Sequence, residues 1–453
     1  MIPIVGAGPT GALLAILLQR RGLEIELFET RPDPREARAE SGRSINLALA
    51  DRGIHALEAA GVFDQLKEAL LPMRGRLIHF ENKDTAFQPY GQRPNEVIFS
   101  VSRHRLNQAL IEVAAGLPGI GLNFQHRFEA ADFAAATAHI RDLRRDRVHP
   151  VPMQPLLATD GAGSSMRRQM NAHGLIQAGE TDLAHGYKEL SIPAGPGGSF
   201  RMASDALHIW PRGNYMLIAL PNDDGSFTAT LFLPKSGPVS FESLNDPNTV
   251  DQFLTRSFPD ARELMPQAIA EFSAHTVGFL GEVSASPWHT GATAALIGDA
   301  AHAMVPFHGQ GMNCCFEDCI EFDACVARHS PADAESWAAA LAEFGAARKP
   351  NTDAIAAMAL ENYLEMRESV ADPEFQLRQA LSLELERRFP RRFIPRYSMV
   401  MFHHEIPYLI AQRRGAKQTE ILSALTEGAA ALSDIDFGRA EREINAKLPP
   451  VAT

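Results

Sequence analysis

The sequence contains no run of about 20 apolar residues, the length that a helix needs to cross the hydrocarbon core of a bilayer. Its 453 residues are 45% apolar, an ordinary proportion for a globular protein with a sizeable core. No charged leader with an apolar centre precedes the first predicted strand, and residues 446–450 are polar. We therefore expect a soluble, cytoplasmic protein without a transmembrane anchor.

Basic residues are scarce relative to acidic ones. The chain has 43 Lys and Arg against 55 Asp and Glu, a formal net charge of -12. A nucleic-acid binder needs a basic face that neutralises phosphates, so we expect no nucleic-acid partner. One basic run stands out at residues 387–396. We interpret it as a solvated loop with apolar anchors, and the alternative is a contact with an anionic surface.

Cysteine is rare, and its four copies are clustered. Cys314, Cys315, Cys319 and Cys325 all fall within one predicted helix. Adjacent helical residues point apart, and no His or Cys pair has the spacing of a zinc site. The sequence therefore predicts buried thiols and no metal centre.

A glycine-rich turn directly follows a short apolar run at residues 2–5. Gly6, Gly8 and Gly11 precede an amphipathic segment, so strand, glycine turn and helix occur in the order of a dinucleotide site. The glycines permit close backbone approach, and the N-terminus of the helix attracts a pyrophosphate. Glu29 ends the next apolar run, at the distance expected for an acid that accepts a hydrogen bond from a ribose hydroxyl.

Two further strand ends carry an acid beside glycine. Asp160 follows one apolar run, and Asp299 follows another and precedes a turn that contains Gly311, Met312 and Asn313. A ligand that contacts all three of these glycine-containing turns needs an adenine end, a pyrophosphate and a third group. FAD meets this requirement better than NAD. Asp299 would accept from the ribityl hydroxyls, and the helix N-terminus after the last turn would stabilise the negative charge of reduced flavin.

The remaining segments change from strand patterns to helix patterns. Residues 187–285 are rich in strand-like runs joined by hairpin turns, and nearly everything after residue 313 has helical periodicity. The sequence therefore predicts an α/β protein with an inserted antiparallel β-sheet lobe and a C-terminal helical region. The predicted boundaries are residues 1–75, 100–180 and 288–345 for a discontinuous nucleotide-binding domain, residues 76–99 and 181–287 for the β-rich substrate domain, and residues 346–453 for the helical region.

Taken together, the motifs resemble those of the single-component flavoprotein monooxygenases, the class A aromatic hydroxylases, along most of the chain. The resemblance implies a Rossmann-like FAD-binding domain of the glutathione-reductase type. It also implies that Arg43 and Arg103 help to bind the cofactor, and that Phe307 and His308 lie near the flavin. The motifs that carry it are Gly-Ala-Gly-Pro-Thr-Gly at residues 6–11, Arg103 with Leu106 and Leu110, Asp160-Gly161 with Ser164, and Gly298-Asp299-Ala300-Ala301-His302 with Pro306.

Within that family, the pattern is most similar to the branch that hydroxylates L-kynurenine. The resemblance implies that NADPH reduces FAD, that O2 adds at flavin C4a, and that the resulting hydroperoxide delivers one oxygen ortho to the amino group of L-kynurenine. The protein then has to position the ring and exclude water. The stretches shared with this branch are residues 42–49, 186–190, 208–211, 305–313 and 358–363.

The same resemblance implies a clamp for the substrate carboxylate, made of Arg76, Tyr90, Asn362 and Tyr397. A bidentate arginine suits the carboxylate of an amino-acid substrate. The residues by themselves leave alternatives open. An arginine at the start of a strand is as often a solvated edge residue, and Asn362 shares a helical face with two methionines, an arrangement typical of core packing.

Two other functions remain open at this point. The flavin chemistry would also suit a phenolic or other aromatic acid as substrate. Alternatively, the protein would bind flavin and act on a partner through its helical C-terminal region, without turnover. No second dinucleotide motif marks a site for NADPH, which the family typically binds transiently. We expect a small-molecule substrate, and we consider a homodimer.

Overall fold

The computed structural model describes residues 1–36, 46–82, 84–366 and 372–451. The chain divides into two compact units, each built from separated segments. Unit 1 comprises Met1–Leu70, Val101–Leu183 and Gly281–Ala356, and unit 2 comprises Leu71–Ser100, Ala184–Leu280 and Ala357–Thr453. None of the described helices combines the length and the apolar character that a membrane crossing requires.

Groups of strands are interspersed with helices up to the end of β20, and helices follow it. The strands are β1 (Ile2–Val5), β2 (Ile25–Glu29), β3 (Asn46–Leu49), β4 (Leu71–Met73), β5 (Gly75–His79), β6 (Thr85–Pro89), β7 (Ile98–Ser102), β8 (Ile120–Phe124), β9 (His126–Asp132), β10 (Thr137–Asp142), β11 (Arg147–Pro152), β12 (Leu156–Ala158), β13 (Gln177–Asp182), β14 (His185–Ile192), β15 (Ala206–Pro211), β16 (Met216–Pro221), β17 (Phe227–Pro234), β18 (Gly281–Ser286), β19 (His289–Thr290) and β20 (Ala294–Leu296). The helices are α1 (Pro9–Arg20), α2 (Asp51–Ala59), α3 (Phe63–Leu66), α4 (Arg103–Gly116), α5 (Ser165–Ala172), α6 (Pro247–Ser257), α7 (Pro259–Leu264), α8 (Ala268–Ala274), α9 (Asp299–His302), α10 (Gly311–His329), α11 (Ala334–Leu364), α12 (Pro373–Arg388), α13 (Arg396–Phe402), α14 (Tyr408–Thr426) and α15 (Phe437–Lys447).

Unit 1 is organised around a six-stranded sheet with the order β19-β20-β12-β1-β2-β8. All neighbours in this sheet are parallel except β19, which pairs antiparallel with β20. The central strand β1 is buried along its whole length, as expected for a parallel strand covered on both faces. The carboxyl ends of β1, β2, β12 and β20 therefore lie at one edge of the sheet, where ligands bind in open parallel sheets.

Helix α1, which follows the first glycine turn, is packed into the interior of unit 1. Every residue from Gly11 to Leu18 is buried, because α1 packs against α4 and α10 as well as against the sheet. Unit 1 also contains a three-stranded antiparallel sheet, β11-β10-β9, and the antiparallel pair β13-β18.

Unit 2 contains a second six-stranded sheet, with the order β14-β17-β16-β15-β5-β6. Only the pair β15–β5 is parallel. A buried cluster joins this sheet to α6, α7 and α8 and includes Trp210, Phe227, Phe253 and Phe258. The β-rich prediction for residues 187–285 missed these three helices.

The start of α6 carried a readable signal. Asp246 precedes Pro247 and forms a capping box with Thr249, a combination that marks a helix N-terminus. The short length of the helices, and the strand-like runs on the N-terminal side, hid their periodicity. In the C-terminal part of unit 2, α12, α14 and α15 share a separate apolar cluster that contains Leu385, Phe393, Ile421 and Ile444.

Candidate functional site

The glycine turn between β1 and α1 forms an open cradle. Gly6 has a φ of +100°, and a Cβ on Gly11 would lie 1.9 Å from the carbonyl oxygen of Gly6, so neither position tolerates a side chain. A Cβ on Gly8, the N-cap of α1, would meet nothing within 4 Å. The N-terminus of α1 therefore faces free space, as a pyrophosphate site requires.

Glu29 ends β2 beside this cradle and is almost fully buried. Its carboxylate accepts a hydrogen bond from the N–H of Ala7 at 2.9 Å, and bonds from the backbone and guanidinium of Arg31. Burial alone would raise the pKa of Glu29, but Arg31 outweighs it and the pKa is lowered. The acceptor is thus ionised, and a ribose hydroxyl would share it with the largely exposed Arg31 side chain.

Asp160 follows β12 at the next strand end. Its Oδ2 accepts from the backbone N–H groups of Ser165 and Met166, while Oδ1 is buried without a hydrogen-bond partner. Burial raises the pKa of this carboxyl group. A buried acceptor with a spare lone pair is costly unless a ligand supplies a donor.

Asp299 stands at the first position of α9, after Gly298, whose φ is +66°. The thiol of Cys315 donates to its Oδ1 at 3.4 Å. Gly311 begins the 19-residue helix α10, and a Cβ there would also meet nothing within 4 Å. The N–H groups at this helix end, which include that of Met312, form a second positive helix terminus in unit 1.

The side chain of Asn313 is engaged by the protein itself. It accepts from the N–H of Ala50 at 2.9 Å and donates to the carbonyls of Ala48 and Gly309 at 2.8 Å each. The side chain of Asn313 therefore links the start of α2 to the turn before α10. Only the backbone of Asn313 is available to a ligand. Sequence reasoning had no means of distinguishing these two roles.

The other predicted cofactor residues have simpler placements. Arg103 is exposed at the first position of α4. Phe307 and His308 are buried in a short 3-10 turn, Pro306–His308, directly before Gly309. Arg43 lies in residues 37–45, outside the described part of the chain.

An extended dinucleotide fits the residues that unit 1 provides. Gly8 leaves the start of α1 clear, Gly311 does the same for α10, and Asp160 keeps one buried oxygen unsatisfied. These features lie at the carboxyl edge of the parallel sheet. They match the demands of an adenine, a pyrophosphate and a third group carried on one ligand.

A second group of predicted residues meets within unit 2. Arg76 lies on β5, between β15 and β6, so it is an interior residue of the sheet and not a solvated edge residue. Its Cζ is 5.8 Å from the ring centroid of Tyr90 and 5.1 Å from that of Tyr397, and the two rings stack with centroids 5.4 Å apart. Three of the four residues assigned to the substrate clamp are thus in contact.

The charge of Arg76 is unbalanced at close range. Among the residues that the structure describes, no carboxylate forms an ion pair with it, and its Nε is buried without a partner, as is the hydroxyl of Tyr90. Burial alone would lower the pKa of Arg76, but Tyr397, Tyr90 and Glu365 reverse the effect and raise it. A buried guanidinium that has no carboxylate at ion-pair distance and two phenols beside it is suited to an anion.

Asn362 and Glu365 come from the end of α11 and the π-helical turn after it. Asn362 is buried, and its amide donates to the sulfur of Met366 at 3.5 Å, consistent with the core face expected from sequence. Burial raises the pKa of Glu365, and Arg76 and Arg396 partly oppose this. Glu365 was not predicted as a site residue. Its position three residues after Asn362, on the same helical face, is the signal that would have identified it.

All four cysteines are free and buried, as the sequence predicted. His302, Cys314 and Asp318 bring potential metal-ligand atoms within 4.8 Å of one another. The guanidinium of Arg348 donates to Asp318 and to the Cys314 sulfur. It supplies the positive charge that a metal ion would otherwise provide, so this cluster is poorly suited to a cation.

One protein family and several curated proteins are similar to this chain in sequence. The FAD binding domain family matches residues 1–350 of the chain. Among curated proteins, the kynurenine 3-monooxygenase of Stenotrophomonas maltophilia (strain K279a) is 48% identical over 448 residues, which cover 99% of this chain and 97% of that protein. The kynurenine 3-monooxygenase of Myxococcus xanthus (strain DK1622) is 43% identical over 449 residues, with coverages of 99% and 96%.

Solved structures are similar at the level of fold. The tetrameric form of 2-methyl-3-hydroxypyridine-5-carboxylic acid oxygenase has a TM-score of 0.64 and 19% identity, covering 85% of this chain and 97% of that chain. The p-nitrophenol 4-monooxygenase PnpA from Pseudomonas putida DLL-E4 has a TM-score of 0.65 and 16% identity, with coverages of 85% and 93%.

Proposed function

Because the chain belongs to the kynurenine 3-monooxygenase family, whose members are FAD-dependent monooxygenases, we propose that it hydroxylates L-kynurenine to 3-hydroxykynurenine with NADPH and O2. Its fold is the mixed α/β fold of FAD-binding monooxygenases. The relatives match over nearly the full length, so the resemblance covers both units.

The observation that carries this proposal is the buried guanidinium of Arg76, which lies beside Tyr90 and Tyr397 and keeps its Nε without a hydrogen-bond partner. L-kynurenine presents an α-carboxylate, and Arg76 would bind it in a bidentate manner. Burial raises the pKa of both phenols, with opposition from Arg76, so both hydroxyls stay protonated at neutral pH. They would therefore act as hydrogen-bond donors to the same carboxylate.

Glu365 and Asn362 complete the proposed clamp. The amino-acid head group of L-kynurenine carries an ammonium as well as a carboxylate, and Glu365 provides the matching negative charge close to Arg76. Binding of a cation would lower the raised pKa of Glu365, because an opposite charge favours the ionised form. We assign Asn362 a hydrogen-bonding role toward the head group.

Unit 1 would hold FAD, which supplies electron transfer and oxygen activation when it is bound. The glycine turn and the start of α1 would bind the pyrophosphate, Glu29 and Asp299 would accept from sugar hydroxyls, and the N-terminus of α10 would favour negative charge on the ring. The residues that we assign to the cofactor are Gly6, Gly8, Gly11, Glu29, Arg43, Arg103, Asp160, Asp299, Gly311, Met312 and Asn313, with Phe307 and His308 near the ring.

The proposed reaction asks for little proton transfer from the protein. The aromatic amine of kynurenine already makes its ring electron-rich, so no strong base is needed to activate it. The clamp residues would contribute orientation of the ring.

We extend the proposal to the domain architecture. The parallel sheet with its glycine turn supports a glutathione-reductase type of FAD-binding domain built from three segments. The antiparallel sheet of unit 2 supports a substrate lobe, to which the C-terminal helices contribute Tyr397.

Turnover with a defined substrate tests the function. Purified protein supplied with FAD, NADPH, O2 and L-kynurenine should yield a product that is heavier by one oxygen, measured by mass spectrometry. A panel of phenolic acids serves as the comparison. NADPH oxidation that does not depend on L-kynurenine, or hydroxylation of a phenolic acid in its place, would contradict the proposal.

A further inference from the structure

Helix α10 carries a buried acid that no cofactor or substrate role has used. Asp318 is fully buried, and its two oxygens receive three donors. Oδ2 accepts from the backbone N–H of Gly298 at 3.2 Å and pairs with His302 Nε2 at 2.5 Å, while Oδ1 accepts from Arg348 Nε at 2.7 Å. Asp318 therefore connects α10 to the Gly298–Asp299 corner and to α11.

A charge network surrounds this acid. Arg348 also pairs with Glu317 at 2.8 Å, and Glu317 pairs with Arg52 at 2.6 Å. Burial alone would raise the pKa of Asp318, but His302 and Arg348 outweigh it and the pKa is lowered. Two arginines thus balance two carboxylates, and the balance depends on Asp318 remaining ionised.

Buried ion pairs of this kind seldom add net stability, because the loss of hydration offsets the attraction. Their better-supported effect is to fix one geometry among several. Here the fixed geometry is the positive-φ backbone conformation of Gly298. Gly298 has a φ of +66°, and a Cβ on it would lie 3.1 Å from both Cys315 Sγ and Thr10 Cγ2.

A second residue on the same face of α10, Cys315, contacts Asp299. Cys315 lies one helical turn before Asp318, and its thiol donates to Oδ1 of Asp299 at 3.4 Å. Burial raises the pKa of this thiol well above its ordinary value, and Asp299 and Asp318 add to the effect. The thiol therefore stays protonated at neutral pH and keeps its donor.

We propose that Asp318 and Cys315 are positioning residues for the cofactor. Asp318 holds the backbone of Gly298, Cys315 holds the carboxylate of Asp299, and together they orient Asp299 toward the ribityl chain of FAD. The inference rests on the role proposed above for Asp299. It assigns to the interior of α10 a function that is separate from the one at its N-terminus.

The test is the affinity of the apoprotein for FAD, measured by quenching of flavin fluorescence, together with the visible circular dichroism of the flavin at saturation. Asp318→Asn should weaken FAD binding by about 10-fold or more, because it weakens hydrogen bonds to a charged group. It should also change the dichroism of the bound flavin. Asp323→Asn is the matched control, since Asp323 lies on the same helix and pairs with Arg21 near the surface. It should leave both readouts unchanged.

A substitution pair without a change of charge tests the second contact. Cys315→Ser keeps a donor for Asp299 and should bind FAD close to the wild-type affinity, whereas Cys315→Val removes the donor and should bind it several-fold more weakly. If Asp318→Asn does not fold, the comparison of these two Cys315 variants still tests the proposal. The double variant Asp318→Asn with Arg348→Gln removes opposite charges together and should fold, with an affinity above that of Asp318→Asn alone.

Loss of stability alone is separated from positioning by Val326→Ala, which removes buried volume from the same helix. The inference is overturned if Asp318→Asn binds FAD with wild-type affinity and dichroism, if Val326→Ala weakens FAD binding as much, or if the two Cys315 variants behave alike. Failure of the proposed hydroxylation would appear separately, as wild-type protein that binds FAD normally and does not convert L-kynurenine.

Discussion

The guanidinium of Arg76 lies over the ring of Tyr397, with its Cζ 5.1 Å from the ring centroid, although the two residues belong to a strand and a helix that are distant in sequence. Tyr90 stacks on the same ring. Arg76 and Tyr90 are buried, and the positive charge of Arg76 has no carboxylate partner at ion-pair distance among the described residues. Such a group is expensive to maintain unless an anionic ligand uses it.

Arg76→Lys is the most direct change to the proposed clamp. Lysine keeps the charge but replaces the planar fork with a point charge, so the KM for L-kynurenine should rise about 10- to 100-fold. Steady-state kinetics should show a smaller change in kcat. Arg74→Lys, two residues earlier and exposed, is the control and should leave both constants unchanged. An unchanged KM in Arg76→Lys would remove Arg76 from the clamp.

Glu365→Gln separates binding from stability. Burial raises the pKa of Glu365, so the folded protein holds that proton to a higher pH than the unfolded chain, and the group costs stability as the pH rises above its ordinary value. Removing the charge should leave the melting temperature of the substrate-free protein at pH 7 equal or higher. The same change should weaken L-kynurenine binding by about 10-fold, as measured by calorimetry.

The control for this prediction is Glu374→Gln, an exposed residue of α12 that pairs with Arg378. It should alter neither quantity. If Glu365→Gln binds L-kynurenine as tightly as the wild type does, the ammonium group is recognised elsewhere.

Three glycine variants separate the contribution of the first glycine turn to folding from its contribution to FAD binding. Gly11→Ala places a Cβ 1.9 Å from the carbonyl oxygen of Gly6, so we expect it to destabilise the apoprotein and to abolish FAD binding. Gly8→Ala meets nothing in the protein, so the melting temperature of the apoprotein should hold while FAD affinity falls. Gly116→Ala, also in open space at the end of α4, is the control for both. Wild-type FAD affinity in Gly8→Ala would show that the cofactor does not approach this turn.

His208 makes the stability of the protein depend on pH. Its ring is buried, and burial lowers its pKa from 6.5 to about 4, with His79 adding to the effect and Asp205 and Asp260 opposing it. Below pH 6.5 the unfolded chain binds a proton that the folded protein still excludes. Stability should therefore fall as the pH is lowered from 6.5 to about 4, by up to about 3 kcal/mol from this group.

Urea unfolding of the apoprotein across this pH range measures that loss. His208→Asn should flatten the dependence, whereas His173→Asn, at an exposed position of unit 1, should not. A pH dependence that is identical in His208→Asn and the wild type would contradict the assignment.

The cofactor side was largely readable from the sequence because its signals are local. The glycines at positions 6, 8 and 11 and the acid at position 29 follow from the order of one strand, one turn and one helix, and the structure places them at the carboxyl edge of a parallel sheet. What the sequence left undefined was the use of each side chain. Asn313 was expected to serve the cofactor, yet its amide is engaged by Ala48, Ala50 and Gly309.

The substrate side depended on long-range contacts that periodicity does not contain. An arginine at the start of a strand has no partner in sequence, and only the family resemblance linked Arg76 to Tyr397. Asp318 was overlooked for the same reason. An acid in the middle of a helix is ordinarily a solvated residue, and its burial follows from Arg348 and His302, which other elements supply.

Recognition of the α-carboxylate is the claim on which the proposed function depends most, and one comparison of ligands tests it. The measurement is the dissociation constant of the FAD-loaded protein for L-kynurenine and for kynuramine, which has the same aromatic ketone and amine but lacks the carboxylate. We expect L-kynurenine to bind about 100-fold more tightly, because only its carboxylate engages the buried guanidinium of Arg76. Equal dissociation constants for the two ligands would contradict the account.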